Sequence, residues 1–330
     1  MTMRIAMGRL LSVFGVAAAL WLPLSAPAQD KYPIATFPFP SVTNIYADII
    51  TAKGFDKANG FRAEPVTYGT GAALWAGLAA GEIVVHNMSP FLLQKMRSDG
   101  IEIEMFSTFL GMGWTIVTTN PGIKNFADLK GKSIAATVAF SAFDYLQIYA
   151  KKKGINLRKD ISIVDATNVL MLAQLEAGRV DAILSYEPNT TMLLAKNPKA
   201  KVVLFGVDAW REVTGDLGWD LGLVVRTDYL KKNPGVLPRL LKMYRDAATF
   251  ATSNPEEADR IVTSGKHFTK GIPPGTITSA LKQKRLILQV TPTWEPATNA
   301  QIWKMLQAGL DGGYIPALPA KQAVVSVAPK

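Results

Sequence analysis

The chain contains no cysteine. That excludes disulfides, thiolate metal sites, a cysteine nucleophile and a lipid-modified N-terminal cysteine. Histidine is almost as scarce, with only His86 and His267 among 330 residues. No HExxH motif, no paired histidine ligands and no serine–histidine–aspartate arrangement appears. His86 falls at the end of a strand-like run, where a structural histidine is the expected role. After the first two dozen residues no apolar run is long enough to span a bilayer. Low-complexity tracts are also missing, and 48% of the residues are hydrophobic, which suits one large or two medium globular domains.

What is present begins at the N-terminus. Arg4 and Arg9 precede an apolar run at residues 10–24, closed by Ala26, Pro27 and Ala28. A basic start, a short apolar core and an A-x-A site describe a secretory signal peptide over residues 1–28. An N-terminal membrane anchor is the alternative, and the run is short for one. Cleavage is expected near Ala28, giving a mature chain from Gln29 in the periplasm. The formal net charge is +10, of which Arg4 and Arg9 carry two, leaving +8 on the mature chain. Basic residues gather at Lys151, Lys152, Lys153, Arg158 and Lys159, and again at Lys282, Lys284 and Arg285. An anionic partner surface is one reading. Solvated helix ends are the other, and the expected one. No nucleic-acid motif is present, so nucleic acid is not an expected partner.

The pattern along the chain alternates. Residues 172–188, LAQLEAGRVDAILSYEP, read as a helix end, a glycine stop at Gly178, a buried strand and a loop ended by Pro188. Residues 74–90, LWAGLAAGEIVVHNMSP, repeat that order, with Ala80-Gly81-Glu82-Ile83 matching Ala177-Gly178-Arg179-Val180. Strands alternating with helices predict an α/β chain with largely parallel sheets. One β/α series breaks near Asn120, a second runs to about Gly206, and residues 221–226 cross back. This predicts two lobes joined by two crossing strands. The first lobe takes residues 29–117 and 222–330, and the second takes residues 118–221. Ligands in open α/β sheets sit outside the carboxyl ends of the strands. A helix over residues 43–52 is expected to be capped by Asn44 or Thr43.

Several short pieces, in order, carry a resemblance. They are Gly54-Phe55, Asn59-Gly60-Phe61, Gly69-Thr70-Gly71-Ala72, Ala80-Gly81-Glu82-Ile83 and the run GIKNFADLKGK at residues 122–132. Ala177-Gly178-Arg179-Val180-Asp181-Ala182, Tyr186-Glu187-Pro188 and Asn254-Pro255-Glu256-Glu257-Ala258 follow. Together they cover nearly the whole mature chain. The chain resembles the periplasmic solute-binding proteins of ABC importers that handle nitrate, alkanesulfonates, taurine, aromatic acids and thiamine-type pyrimidines. The resemblance implies a type II periplasmic binding protein fold, hinge closure on a small ligand, and delivery to permease subunits. It implies no cofactor, no metal, no catalysis and a monomer.

The family's contact loops fall on Phe39, Ser41, Thr43 and Asn44; on Gly71 and Ala72; on Asn87, Met88 and Ser89; and on Met112 and Trp114. In the second lobe they fall on Thr137, Phe140, Ser141, Asn168, Tyr186 and Glu187, with Trp219 in the return loop. Gly69-Thr70-Gly71 precedes a helix and fits either ligand approach or a tight turn. As a nucleotide motif it fails at Leu74, where a third glycine is needed. Ala139-Phe140-Ser141 departs from the family, which has small polar residues there, and Ser141 is a candidate helix cap. Aromatics recur at Phe37, Phe39, Trp114, Phe140, Phe143, Tyr186 and Trp219. No lysine or arginine falls in these loops, which disfavours a multiply charged oxyanion. The expected ligand is a small aromatic or apolar monocarboxylate, with a sulfonate such as taurine or a pyrimidine as the alternative. Glu187 fits either an amine acceptor or a hinge ion pair. Asp144, Asp165, Asp216 and Asp220 are expected to be solvated near the mouth. A pyrimidine-metabolising enzyme on a related fold is the remaining alternative, and the poverty in histidine and cysteine argues against it.

Overall fold

The computed structural model describes residues 29–265 and 268–319. The expected signal peptide, His267 and Pro329 lie outside them. The strands are β1 (Asp30–Thr36), β2 (Phe61–Thr67), β3 (Val85–Met88), β4 (Ile103–Leu110) and β5 (Thr115–Thr118). They continue with β6 (Ser133–Ala136), β7 (Ser162–Asp165), β8 (Ala182–Ser185), β9 (Lys201–Phe205) and β10 (Leu221–Arg226). Helices separate most of them, and residues 227–311 are mainly helical.

Three sheets result. β1 and β2 pair in parallel. A second sheet has the order β3-β10-β4, and a third has the order β7-β6-β8-β5-β9. β3, β5 and β8 are buried along their whole length; β5 and β8 are apolar and β-branched, whereas β3 buries His86 and Asn87, which line the cavity. The sheets are less uniformly parallel than the alternation predicts. β10 runs antiparallel to both β3 and β4, and β5 runs antiparallel to both β8 and β9. The reason is direction of travel. Most strands run toward one shared edge, whereas β5 and β10 each leave that edge after the chain has passed between sheets. The passages lie at residues 111–114 and 206–220. They are stitched by Gly206 N–H donating to Trp114 O at 2.7 Å and Asp220 N–H donating to Leu110 O at 2.7 Å.

Glycine is needed at one of these passages by space alone. A Cβ on Gly206 would sit 2.6 Å from the Trp114 indole. The two repeated turns match in hydrogen bonding as well as in sequence. Gly81 and Gly178 both have positive φ, 84° and 65°. Glu82 N–H donates to Gly77 O, and Arg179 N–H to Gln174 O, each at 2.9 Å. Each turn delivers the chain into a buried strand whose carboxyl end points at the same space.

The first long helix, Val42–Lys53, starts one to two residues earlier than expected. Ser41 is its cap and accepts from Asn44 N–H at 3.2 Å. Asn44 is one turn inside, so its amide is free to fold back on the preceding loop. Ser141 is likewise not a cap: the residue before the helix Ser141–Lys152 is Phe140, and no side chain caps it.

Candidate functional site

A cavity of about 1110 Å³ opens where the carboxyl ends of β1, β3 and β8 meet the loop after β6. From one side it is lined by Phe39, Ser41, Thr43, Gly71, Asn87, Met88 and Ser89. From the other come Phe140, Ser141, Asn168, Tyr186 and Glu187. The remaining expected residues are elsewhere. Met112, Trp114 and Trp219 are fully buried in the apolar core. Ala72 faces solvent beside Gly71. Thr137 turns its hydroxyl to Ala166 O at 2.8 Å. Asn44 is a scaffold: its Nδ2 donates to Phe37 O at 2.8 Å and Phe39 O at 3.3 Å, and its Oδ1 accepts from Phe37 N–H at 2.8 Å. That amide holds the loop on which Phe39 stands.

The walls are aromatic. Phe37 stacks on Phe39 with centroids 4.9 Å apart, and Phe140 tilts against Tyr186 at 5.8 Å. Trp75 also lines the space. Phe140 reaches across the cleft, since a Cβ on Gly71 would meet its ring at 3.3 Å. Several polar groups between them are fixed by hydrogen bonds. Asn87 Nδ2 donates to Thr43 Oγ1 at 3.1 Å, and the Tyr186 hydroxyl donates to Asn168 Oδ1. Thr70 Oγ1 accepts from Ala73 N–H at 3.2 Å, so the helix start after Gly69 already has an internal acceptor.

Acidic groups are the main departure from expectation. Asp220 and Asp144 are buried cavity residues, not solvated ones. Asp220 is 6% exposed, and Ser141 Oγ donates to its Oδ1 at 2.6 Å. Burial pushes its carboxyl up to about 7, against the pull of that hydrogen bond. Asp144 is also pushed up to about 7 by burial, with the Asp220 charge adding and the Tyr314 hydroxyl opposing. Asp165 and Asp216 behave otherwise: Asp165 accepts from Val138 N–H at 3.1 Å, and Asp216 pairs with Lys304.

Glu187 has an ion-pair partner. Arg285 Nε donates to its Oε1 at 2.8 Å, and an Arg285 Nη donates to Thr191 Oγ1 at 2.7 Å. Both side chains are buried, so Arg285 is not part of a solvated basic patch. Burial raises the Glu187 carboxyl and Arg285 opposes the rise. His86 lines the cavity, and burial lowers its imidazole to about 3. Lys95 and Arg97 also line the cavity, Lys95 paired with Asp99 at 3.4 Å. Sequence reasoning missed Trp75, His86, Asp144 and Asp220 as wall residues. The strand-end position of His86 was a usable signal, and so was the place of Asp220 just before the returning β10. Among the described residues no group of histidines and carboxylates could hold a metal ion.

Residues 43–258 match the family described as NMT1/THI5 like. The taurine-binding periplasmic protein of Escherichia coli (strain K12) is 24% identical over 277 residues, covering 80% of this chain and 82% of that one. The periplasmic aliphatic sulphonate binding protein SsuA from Escherichia coli has a TM-score of 0.73 at 17% identity, covering 91% of this chain and 93% of that chain. The periplasmic nitrate-binding protein NrtA from Synechocystis PCC 6803 scores 0.67 at 15% identity, over 91% and 86% of the two chains. The fold is therefore that of type II periplasmic binding proteins: mixed α/β lobes with a cleft between them.

Proposed function

The chain belongs to the NMT1/THI5-like family, and from that premise we propose that it is the solute-binding receptor of an ABC importer. It captures a small organic solute in the cleft, closes on it, and presents the closed form to membrane permease subunits. The periplasm is its place of work. One observation carries this reading: a single cavity takes its walls from loops of both lobes, with Phe39, Asn87 and Ser89 facing Phe140 and Tyr186. A ligand there stabilises whichever arrangement it binds better, which is how hinge closure is driven. The lobe division read from the sequence is part of the proposal. The pairing of β5 with β8 and β9 supports putting its first boundary at Trp114.

Aromatic walls support a flat or partly apolar solute. The relatives named for taurine, sulfonate and nitrate binding support a sulfonate as a second reading. Neither they nor the cavity favours the aromatic monocarboxylate expected from the sequence, because Asp220 stands inside the cavity.

The test is a thermal-shift screen over carboxylates, sulfonates, amines and pyrimidines, followed by small-angle scattering on each hit. Ligand at about a hundred times its Kd contributes ~2.7 kcal/mol to the folded state. A hit should raise the melting temperature and shrink the radius of gyration. A hit that raises the melting temperature and leaves the radius unchanged rules out closure.

A further inference from the structure

The cavity has the wrong charge for an anion. Asp220 is more than nine-tenths buried and lines it. Its carboxylate takes the Ser141 hydroxyl, and its backbone carbonyl takes the Tyr145 hydroxyl at 3.0 Å. Among the described residues no lysine or arginine lies within ion-pair distance of it. The titratable groups that feel its charge are Asp144 and Tyr145 on the helix Ser141–Lys152, and Tyr186 after β8. None of them is a cation. Arg158 acts on Asp144 and sits over the Phe143 ring at 5.0 Å. Arg285, which reaches the cavity residue Glu187, is already taken by it. Lys95 and Arg97 also line the cavity, and both are engaged: Lys95 pairs with Asp99 at 3.4 Å and Arg97 donates to Ile103 O at 2.8 Å.

A second observation points the same way. His86 is 6% exposed, lines the cavity, and makes no side-chain hydrogen bond with a described residue. Held neutral, it offers one ring nitrogen as an acceptor and one as a donor. Around these groups stand Phe37, Phe39, Trp75, Phe140 and Tyr186. The faces of aromatic rings attract cations, more so out of water. A buried carboxylate without a counter-charge is unfavourable, and a positively charged guest offsets that penalty.

We propose that the cavity takes a small organic monocation, an ammonium or amidinium on a flat or apolar body, with Asp220 as its counter-ion and the aromatic side chains as its walls. The proposal rests on the receptor reading and adds the sign of the solute. Binding needs Asp220 ionised, so capture of a cation releases a proton near neutral pH.

The probes are benzylamine and benzamidine against phenylmethanesulfonate, phenylacetate and taurine. They are measured by titration calorimetry and scattering on the full mature chain at pH 8.0 and pH 5.5. The expected result is binding and contraction with the two cations. Their affinity should fall at least tenfold in Asp220→Asn, and at pH 5.5 in the unaltered protein. The pH comparison keeps the test open if that variant does not fold. Binding of phenylmethanesulfonate, phenylacetate or taurine with contraction, and none of the cations, overturns the inference and leaves the receptor reading intact. Cation affinity unchanged in a folded Asp220→Asn variant also overturns it. No binding and no contraction with any probe overturns both.

Discussion

Two buried carboxylates of the cleft differ by one neighbour. Glu187 has Arg285, and the Asp220 carboxylate has only the Ser141 hydroxyl. Breaking the pair leaves a buried charge alone. Glu187→Ala should therefore lower unfolding stability by ~3–5 kcal/mol, read by urea titration, while Glu187→Leu with Arg285→Met should recover most of it. A double variant as unstable as the single one would sink that account. Trp114 shows how a residue can be named for the wrong reason. Its loop position and aromatic ring suggest a ligand platform, yet it fills the core against Gly206. Trp114→Ala should cost about 3–5 kcal/mol as a core truncation. Phe140→Ala, on the wall, should weaken an aromatic ligand and barely move the ligand-free melting temperature. What the sequence marks at this scale is the loop; which way a side chain turns depends on neighbours distant in the chain, such as Gly206 for Trp114 and Arg285 for Glu187.

At the scale of elements, the loop after β1 is the informative case. The sequence points to Thr43 or Asn44 as the cap, but Ser41 is the cap and the first helix begins at Val42, with Asn44 inside it. The misplacement has a physical cause. Ser41 satisfies the helix N–H, so the Asn44 amide is spent on Phe37 and Phe39. Ser41→Ala should cost ~1 kcal/mol as a lost cap. Asn44→Ala should cost about 2–3 kcal/mol, since it strands Phe37 polar groups, and should also weaken ligand binding by freeing Phe39. Denaturant titration and calorimetry on the two variants separate cap from scaffold. The repeated Ala-Gly turns were legible because glycine at positive φ and the strand that follows are local matters. The antiparallel insertion of β5 and β10 was not, because it depends on where the chain has come from.

For the whole molecule, titration of the cleft sets the pH response. Asp144 and Asp220 sit at about 7 folded against an ordinary 3.8, so between those values the folded chain holds protons that the unfolded chain has released. Stability from these two groups is therefore gained as pH falls from 7 toward 4. His86 works in the opposite direction: lowered from 6.5 to about 3, it loses stability as pH falls below 6.5. Two gains against one loss leave about one net proton, or ~1.4 kcal/mol per pH unit at most, equal to a few degrees of melting temperature. The ligand-free protein should melt higher at pH 5.5 than at pH 8.0. Asp144→Asn with Asp220→Asn should reverse that order, leaving the histidine loss exposed. Differential scanning calorimetry across the range checks both.

The sequence by itself determined the α/β alternation, the shared edge where the loops gather, the missing thiol chemistry, and the family. Each follows from local patterning: periodicity, glycine stops, residue types absent or present. Only the tertiary structure decided that Asp220 and Asp144 are buried while Asp216 is paired outside, that Arg285 is taken by Glu187, and that Trp114 and Trp219 belong to the core. Those outcomes rest on burial and on partners brought from distant segments, and burial sets the charge of a site more than the identity of its residues does.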